Sequence, residues 1–385
     1  MLNFPEKLSL VTGNLEQMHS IPNQHMKHAA GNLKHCCLKP GTKYPLRNAC
    51  LSVLLLVLLL SGCRYAPNKE KIVYISGKSV KVGIIPSLGG SVVYLAKGNS
   101  GNLLLSDTAY WNLPDSLHPS DSPGASYLPV NGHTVWVGPQ AGWWLQQDVD
   151  TVLRKAKAEW PPDPFLTTAR YSVNERSDEL IGMLGPESPY TGIQMEKQVR
   201  VEPMGLVSLQ VLAKNIRSKV ISWDIWFNTR FPSSSRVYVP VPDTAHIQVI
   251  ESNDSLATGF NYRVTDGFFT FIPDSVPAGM AKRYAKAYIY PQRPYIALFE
   301  GKYLLVIRFP KYPVETIHPA QNLVEIELCR SLKATEEQLS LQHHAPYKNL
   351  NPGELMSAWE TWEIIDYDGG SSLDDHTAFL RKIGL

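Results

Sequence analysis

From residue 72 onward the chain is built of short runs in which apolar residues recur at every second position or fill the run entirely. Strands are predicted over residues 79–85, 91–95, 207–212, 236–239, 246–251, 268–272, 295–299, 303–309, 323–328 and 359–367. Each run is rich in β-branched or aromatic residues and bounded by Gly, Pro, Asn or Asp, the composition of a pleated, half-buried surface ended by turns. Phe299-Glu300-Gly301-Lys302-Tyr303 reads as a hairpin turn between two of them. Helical periodicity is confined to two stretches. Residues 148–160 precede Pro161-Pro162, and residues 377–383 follow Ser372 or Asp374 as a cap. No repeat of propeller length is visible. The expected fold is therefore mostly β, a large antiparallel β-sandwich formed by a single domain over residues 72–385.

One stretch breaks this pattern. Leu51–Leu60 reads LSVLLLVLLL, without a charge, and is followed by Ser61-Gly62-Cys63. Lys39, Lys43 and Arg47 stand before it. A basic flank, a short apolar run and small residues describe a secretory signal. The run is shorter than the roughly 20 residues a membrane-spanning helix needs. Leu60-Ser61-Gly62-Cys63 resembles the lipobox of bacterial lipoproteins, which implies cleavage before Cys63 and lipid on its thiol. Residues 1–62 are then a precursor segment, residues 63–71 a polar tether, and the expected location is the cell envelope, anchored to a membrane outside the cytoplasm.

This division changes the meaning of the charge. The precursor holds six Lys and Arg against two Asp and Glu. From whole-chain totals of 37 and 35, the remainder carries 31 basic and 33 acidic residues. A net basic chain becomes slightly acidic, and no nucleic-acid partner is expected. Only Cys63 and Cys329 remain, too few for a disulfide framework. Neither Cys36-Cys37 nor His343-His344 has the spacing of a metal site, and no metal or other cofactor is expected.

Three segments resemble one known family. Ile85-Pro86-Ser87-Leu88-Gly89-Gly90-Ser91-Val92, followed by Gly101-Asn102-Leu103-Leu104, looks like the opening of the galactose mutarotase (aldose 1-epimerase) superfamily. Leu323-Val324-Glu325-Ile326-Glu327 and Leu350-Asn351-Pro352-Gly353-Glu354 are similar to its closing strands. Gly132-His133-Thr134-Val135-Trp136-Val137-Gly138-Pro139 looks like a motif of a bacterial lipoprotein branch of that superfamily. The resemblance spans roughly residues 80–367. It implies a two-sheet supersandwich with a sugar site on one concave face, where a glutamate takes the anomeric proton and a histidine protonates the ring oxygen. By position, Glu325 or Glu327 matches the glutamate, and strand alternation puts both on one face. Asn215 matches a conspicuous Asn before the histidine segment. In that segment, Asp224-Ile225-Trp226-Phe227-Asn228, Asp224 stands where the histidine would be. An ionised carboxylate is a poor proton donor, and His133 is the candidate replacement.

The nine Trp all fall after residue 63. Trp136 and Trp143, near His133, suit a surface on which sugar rings stack. Of Trp359 and Trp362, one is expected in the core and one at the edge. Arg230 offers a fork for a hydroxyl or carboxylate. The first functional expectation is a membrane-anchored carbohydrate-binding or sugar-acid-binding domain with little catalysis. The second is an active epimerase, mutarotase or lyase-like enzyme with Glu325 or Glu327 as base. The third is an envelope scaffold.

Overall fold

A computed structural model describes residues 71–113, 127–252, 254–272 and 274–385. Cys63 and its flanking signal lie outside the described residues. Asn68–Leu385 forms one compact unit. Along it run strands β1 (Val73–Gly77), β2 (Val80–Ile85), β3 (Ser91–Lys97), β4 (His133–Gly138), β5 (Ser172–Arg176), β6 (Leu180–Glu187) and β7 (Ile193–Val201). Then come β8 (Val207–Asn215), β9 (Ile221–Phe231), β10 (Arg236–Pro240), β11 (Ile247–Glu251), β12 (Ala257–Thr258), β13 (Tyr262–Thr265) and β14 (Phe268–Phe271). The chain closes with β15 (Lys282–Ile289), β16 (Tyr295–Glu300), β17 (Tyr303–Arg308), β18 (Val324–Ser331), β19 (Gln338–His344), β20 (Lys348–Leu350) and β21 (Leu355–Asp366).

Two large sheets result. One has the order β1-β2-β3-β4-β9-β19-β18-β15-β11, with β12 added on β15 and β20 on β9. The other has the order β13-β14-β10-β16-β17-β21-β8-β7-β6-β5. Pairing is antiparallel except where β12 meets β15. The expected fold class, mostly β with two large antiparallel sheets, is the one observed.

The alternation in the sequence explains which face each strand buries. In β7, Ile193, Met195, Lys197, Val199 and Val201 are buried while the alternate residues Gln194, Glu196, Gln198 and Arg200 are partly exposed. In β21, Trp362 is wholly buried and Trp359 is 45% exposed, the core-and-edge division expected for the pair. Strand β9 differs, because nearly every residue from Trp223 to Phe231 is buried. Its apolar set, Trp223, Ile225, Phe227 and Phe231, and its polar set, Asp224, Asn228 and Arg230, occupy opposite faces. The apolar face meets the other sheet. His343 stacks between Phe227 at 4.5 Å and Phe309 at 4.4 Å, and His133 meets Trp362 at 5.2 Å. The polar face is the one that carries the candidate site.

The turn motifs singled out from the sequence fix the backbone. Gly89 and Gly90 both have positive φ, 64° and 61°, and a Cβ on Gly89 would overlap the Thr167 carbonyl. The Asn102 side chain accepts from the amides of Leu95 and Leu104 and donates to Val93 O at 2.8 Å. Asn215 donates to Lys219 O and Leu350 O, both at 2.9 Å, while its backbone bonds Gly353 and Glu354. It thereby ties the Asn351–Glu354 turn to the end of β8.

The first helix is shorter than the sequence suggests, and the second begins earlier. Thr151–Ala156 is capped by Asp150 and ends at Lys157 in the left-handed region. It buries no residue, so no apolar face sustains it further. Leu373–Lys382 begins at Ser372 with a capping box to Asp375. It covers the ten-stranded sheet through Leu380 and His376, whose ring lies flat on Phe299 at 3.9 Å. Among the described residues no helix is long and apolar enough to cross a membrane.

Candidate functional site

The polar face gathers side chains from five adjacent strands. Register sets Trp136 of β4 opposite Trp226 of β9, and Thr134 opposite Asn228. It sets Asn228 opposite Gln342 of β19, Gln342 opposite Glu325 of β18, and Glu325 opposite Tyr288 of β15. Because alternate residues share a face, Asp224, Arg230, Ser340, His344, Glu327 and Lys286 belong to the same surface.

Its centre is a buried charge relay. His344 Nε2 lies 3.2 Å from Glu325 Oε1, and His344 Nδ1 lies 3.5 Å from Asp224 Oδ2. Glu325 Oε2 meets Lys286 Nζ at 2.6 Å. Asp224 Oδ1 accepts the Gly138 amide at 2.9 Å, and the Gln321 amide stands 3.0 Å from His344 Nδ1. Asp224 and His344 have no exposure, and Glu325 has 1%. Burial alone would lower the His344 pKa, but the carboxylates of Glu325 and Asp224 outweigh it and raise it to about 9. Burial likewise works to raise Glu325, yet His344 and Lys286 hold it below the usual carboxylate range. Lys286, despite its own desolvation, is raised by Glu325 and Glu327. Asp224 Oδ2, Glu325 Oε2 and His344 Nε2 are within ion-pair distance but outside hydrogen-bond geometry. Charge, more than aligned bonds, holds the relay.

Beside it lies an aromatic wall. Trp226 packs edge-on against Trp136 at 5.1 Å and tilts against His344 at 5.0 Å. Trp143 meets Trp136 at 5.6 Å and spends its indole N–H on Val137 O at 2.6 Å. Trp160, 49% exposed, stands against Trp136 at 6.4 Å and Tyr127 at 4.7 Å. Trp143 supports this wall from within, while Trp160 forms its open rim. The Arg230 guanidinium lies over the Trp136 ring at 5.4 Å and donates through Nε to Gln338 at 3.1 Å.

Of the residues singled out from the sequence, Glu325, Glu327, Trp136, Asp224 and Arg230 thus share one face, with Trp143 behind it. His133 does not join them. It points between the sheets, bonds Thr229 Oγ1 at 2.9 Å and stands 3.4 Å from Glu360 of β21. Glu360 also binds His343 Nε2 at 2.9 Å and accepts from Trp362 Nε1 at 2.9 Å. Desolvation lowers the His133 pKa to about 4, against the pull of Glu360. The reason is parity. His133, Val135 and Val137 face the interior, while Thr134, Trp136 and Gly138 face the site.

His344, Lys286, Trp226, Trp160 and Gln321 are the site residues that sequence reasoning passed over. For His344 a signal exists: Gln338, Ser340, Gln342 and His344 alternate with Leu339, Leu341 and His343. Cys329 is buried and unpaired, and burial pushes its thiol up to about 11. No group of three or more metal-ligating side chains occurs among the described residues.

The sequence model of a family described as Domain of unknown function (DUF4380) matches residues 71–365. No curated protein matches the chain. Among solved structures it is similar to the Slr1438 protein from Synechocystis sp. PCC 6803, at 10% identity and a TM-score of 0.49, covering 78% of this chain and 97% of that one. It is also similar to a galactose mutarotase-like protein from Clostridium acetobutylicum, at 12% identity and a TM-score of 0.48, covering 77% and 95%. A third is a galactose mutarotase-like protein from Lactobacillus casei ATCC 334, at 11% identity and a TM-score of 0.48, covering 76% and 100%.

Proposed function

The chain belongs to the DUF4380 family, and on that premise we propose that its polar face binds a carbohydrate. The observation that carries this reading is the juxtaposition of an indole wall, Trp136, Trp226 and Trp160, with a row of amide, carboxylate and cationic groups one strand away. Sugar rings present apolar C–H faces and polar edges, so they need both surfaces at once. The sequence motifs resembling the mutarotase superfamily support the same reading. Calorimetric titration with neutral and acidic monosaccharides tests it, and absence of binding to every sugar leaves the scaffold reading.

A second reading, sugar conversion, is favoured by one contact. His344, a proton donor by virtue of its two carboxylate neighbours, lies 3.2 Å from Glu325, a base held ionised. Asp224, which occupies the position of the expected histidine, is here the residue that orients one. Polarimetry of freshly dissolved aldoses distinguishes conversion from binding. Mutarotation that disappears in both Glu325→Gln and His344→Gln establishes it, and background rates in the parent chain refute it.

We further propose that Cys63 carries the lipid that anchors the chain to a membrane of the cell envelope. The support is the signal-like run and small residues that precede it. Incorporation of labelled fatty acid into the parent chain and its loss in Cys63→Ala is the expected result, and label retained by the variant sinks the proposal.

A further inference from the structure

One corner of the polar face is built from donors that have nothing to donate to. Arg230 is 6% exposed, and its Nη1 is buried without a hydrogen-bond partner. Its partners are neutral: the Gln338 amide oxygen at Nε and the π-face of Trp136. No carboxylate pairs with it among the described residues, although Lys286, three strands further on, is paired with Glu325 at 2.6 Å. The Trp136 indole N–H is likewise buried and unpartnered, as is the Thr134 hydroxyl. All three come from adjoining strands. Thr134 and Trp136 sit two apart on β4, and Arg230 is on β9, two residues from the partner of Thr134.

A buried guanidinium without a counter-charge is costly, and an orphaned buried donor costs as much as a lost bond. A fold that leaves three such groups together is complete only when an acceptor is supplied from outside. A single neutral hydroxyl would satisfy one donor and leave the charge uncompensated. A carboxylate satisfies the charge and presents two oxygens in the plane of the guanidinium fork. The wrong charge is excluded on the far side, where Asp224, Glu325 and Glu327 line the face. The ligand is therefore polarised: hydroxyls toward the carboxylate strands and an acid group toward Arg230.

We infer that the carbohydrate taken by this face is a uronic acid or another sugar acid, with its carboxylate bound by Arg230 and the donors of Thr134 and Trp136. The inference rests on the carbohydrate reading above. The experiment is calorimetric titration of the full chain in mild detergent with D-galacturonate, D-galactose and D-galactose 6-sulfate. It is repeated with Arg230→Gln, Arg230→Lys and Thr134→Val, whose folding is checked by thermal melts. Galacturonate is expected to bind about 10–100-fold tighter than galactose, the range of a charge-assisted buried bond. Arg230→Gln should erase that difference, costing galacturonate more affinity than galactose. Arg230→Lys, which keeps the charge and loses the fork, should recover only part of it. Thr134→Val gives a several-fold loss for galacturonate that exceeds its loss for galactose, and serves if the Arg230 variants do not fold. Equal affinity for galacturonate and galactose overturns the inference and leaves carbohydrate binding intact. So does a loss in Arg230→Gln or Thr134→Val that is the same for both sugars. Equal gain for the sulfate ester overturns the carboxylate assignment. Failure of all three sugars to bind removes the carbohydrate reading itself.

Discussion

His344 and Glu325 meet at 3.2 Å on neighbouring strands, while the adjacent His343 meets Glu360 at 2.9 Å on the other side of the same sheet. Two consecutive histidines thus serve two separate carboxylates, one in the site and one in the core. Their protonation differs accordingly: carboxylates raise His344 to about 9, whereas burial lowers His343.

The first prediction concerns the alkaline limb of stability. A His344 pKa raised from 6.5 to about 9 contributes stability that is fully present below pH 6.5 and lost as pH rises through 9. Lys197, lowered by burial to about 7, contributes in the opposite direction between pH 7 and 10.5. The informative quantity is thus the difference between parent and His344→Gln. Urea midpoints measured from pH 6 to 10 should show that difference shrinking with pH. A difference constant across this range would mean His344 is not charged in the fold.

The acid limb has a different owner. His133, lowered to about 4, contributes stability that is present above pH 6.5 and lost as pH falls toward 4. His343 and Glu360 are both lowered and act in the same direction. The melting temperature should therefore fall between pH 6.5 and 4, and more shallowly in His133→Gln. Replacing Glu360 by Leu leaves His343 and Trp362 without their buried acceptor. Each buried donor orphaned in this way costs about 1–3 kcal/mol, readable as a shifted urea midpoint at pH 7.

Trp136 and Trp160 separate packing from recognition. Trp136 is buried, and Trp136→Ala is expected to lose about 3–5 kcal/mol of stability together with ligand affinity. Trp160 is half exposed on the rim, and Trp160→Ala should change stability by no more than about 0.5 kcal/mol. Its sugar affinity should nevertheless fall. An unaltered titration curve for Trp160→Ala would remove the rim from the binding surface.

Gly138 links backbone to site. A Cβ there would come within 2.7 Å of Asp224 Oδ1 and also collide with Gln321. Both side chains contact His344, so Gly138→Ala should displace the relay and weaken sugar binding more than it lowers the melting temperature. Equal affinity in this variant would show the relay to be remote from the ligand.

How much of this could be read in the sequence varied with the physics involved. The shared face of Glu325 and Glu327 followed from strand parity alone, and so did the division between Trp359 and Trp362. The turn motifs were legible because Gly89, Asn102 and Asn215 satisfy local backbone demands. His133 was expected beside the glutamates, and the parity of β4 instead turns it into the core. His344 was passed over because His343 and His344, which point apart, were weighed only as one metal pair. Strand β15 was not anticipated at all. Its Lys, Arg and Ala residues have weak strand propensity, and pairing with β18 over eight residues overrides it.

The order of pairing also fixes when the molecule can close. In the eleven-stranded sheet β9 sits between β4 and β19, and in the ten-stranded sheet β8 sits between β7 and β21. The Asn215 side chain, at the hinge between β8 and β9, donates to the nearby Lys219 O and also to Leu350 O, more than a hundred residues later. Each central strand therefore emerges from the ribosome with one open edge. That edge stays unpaired until nearly the whole chain has been made, and such edges invite foreign strands. Closure is thus a late, all-or-none event of high contact order. A chain stopped before Gln338 would present two long strands, each with one edge left open.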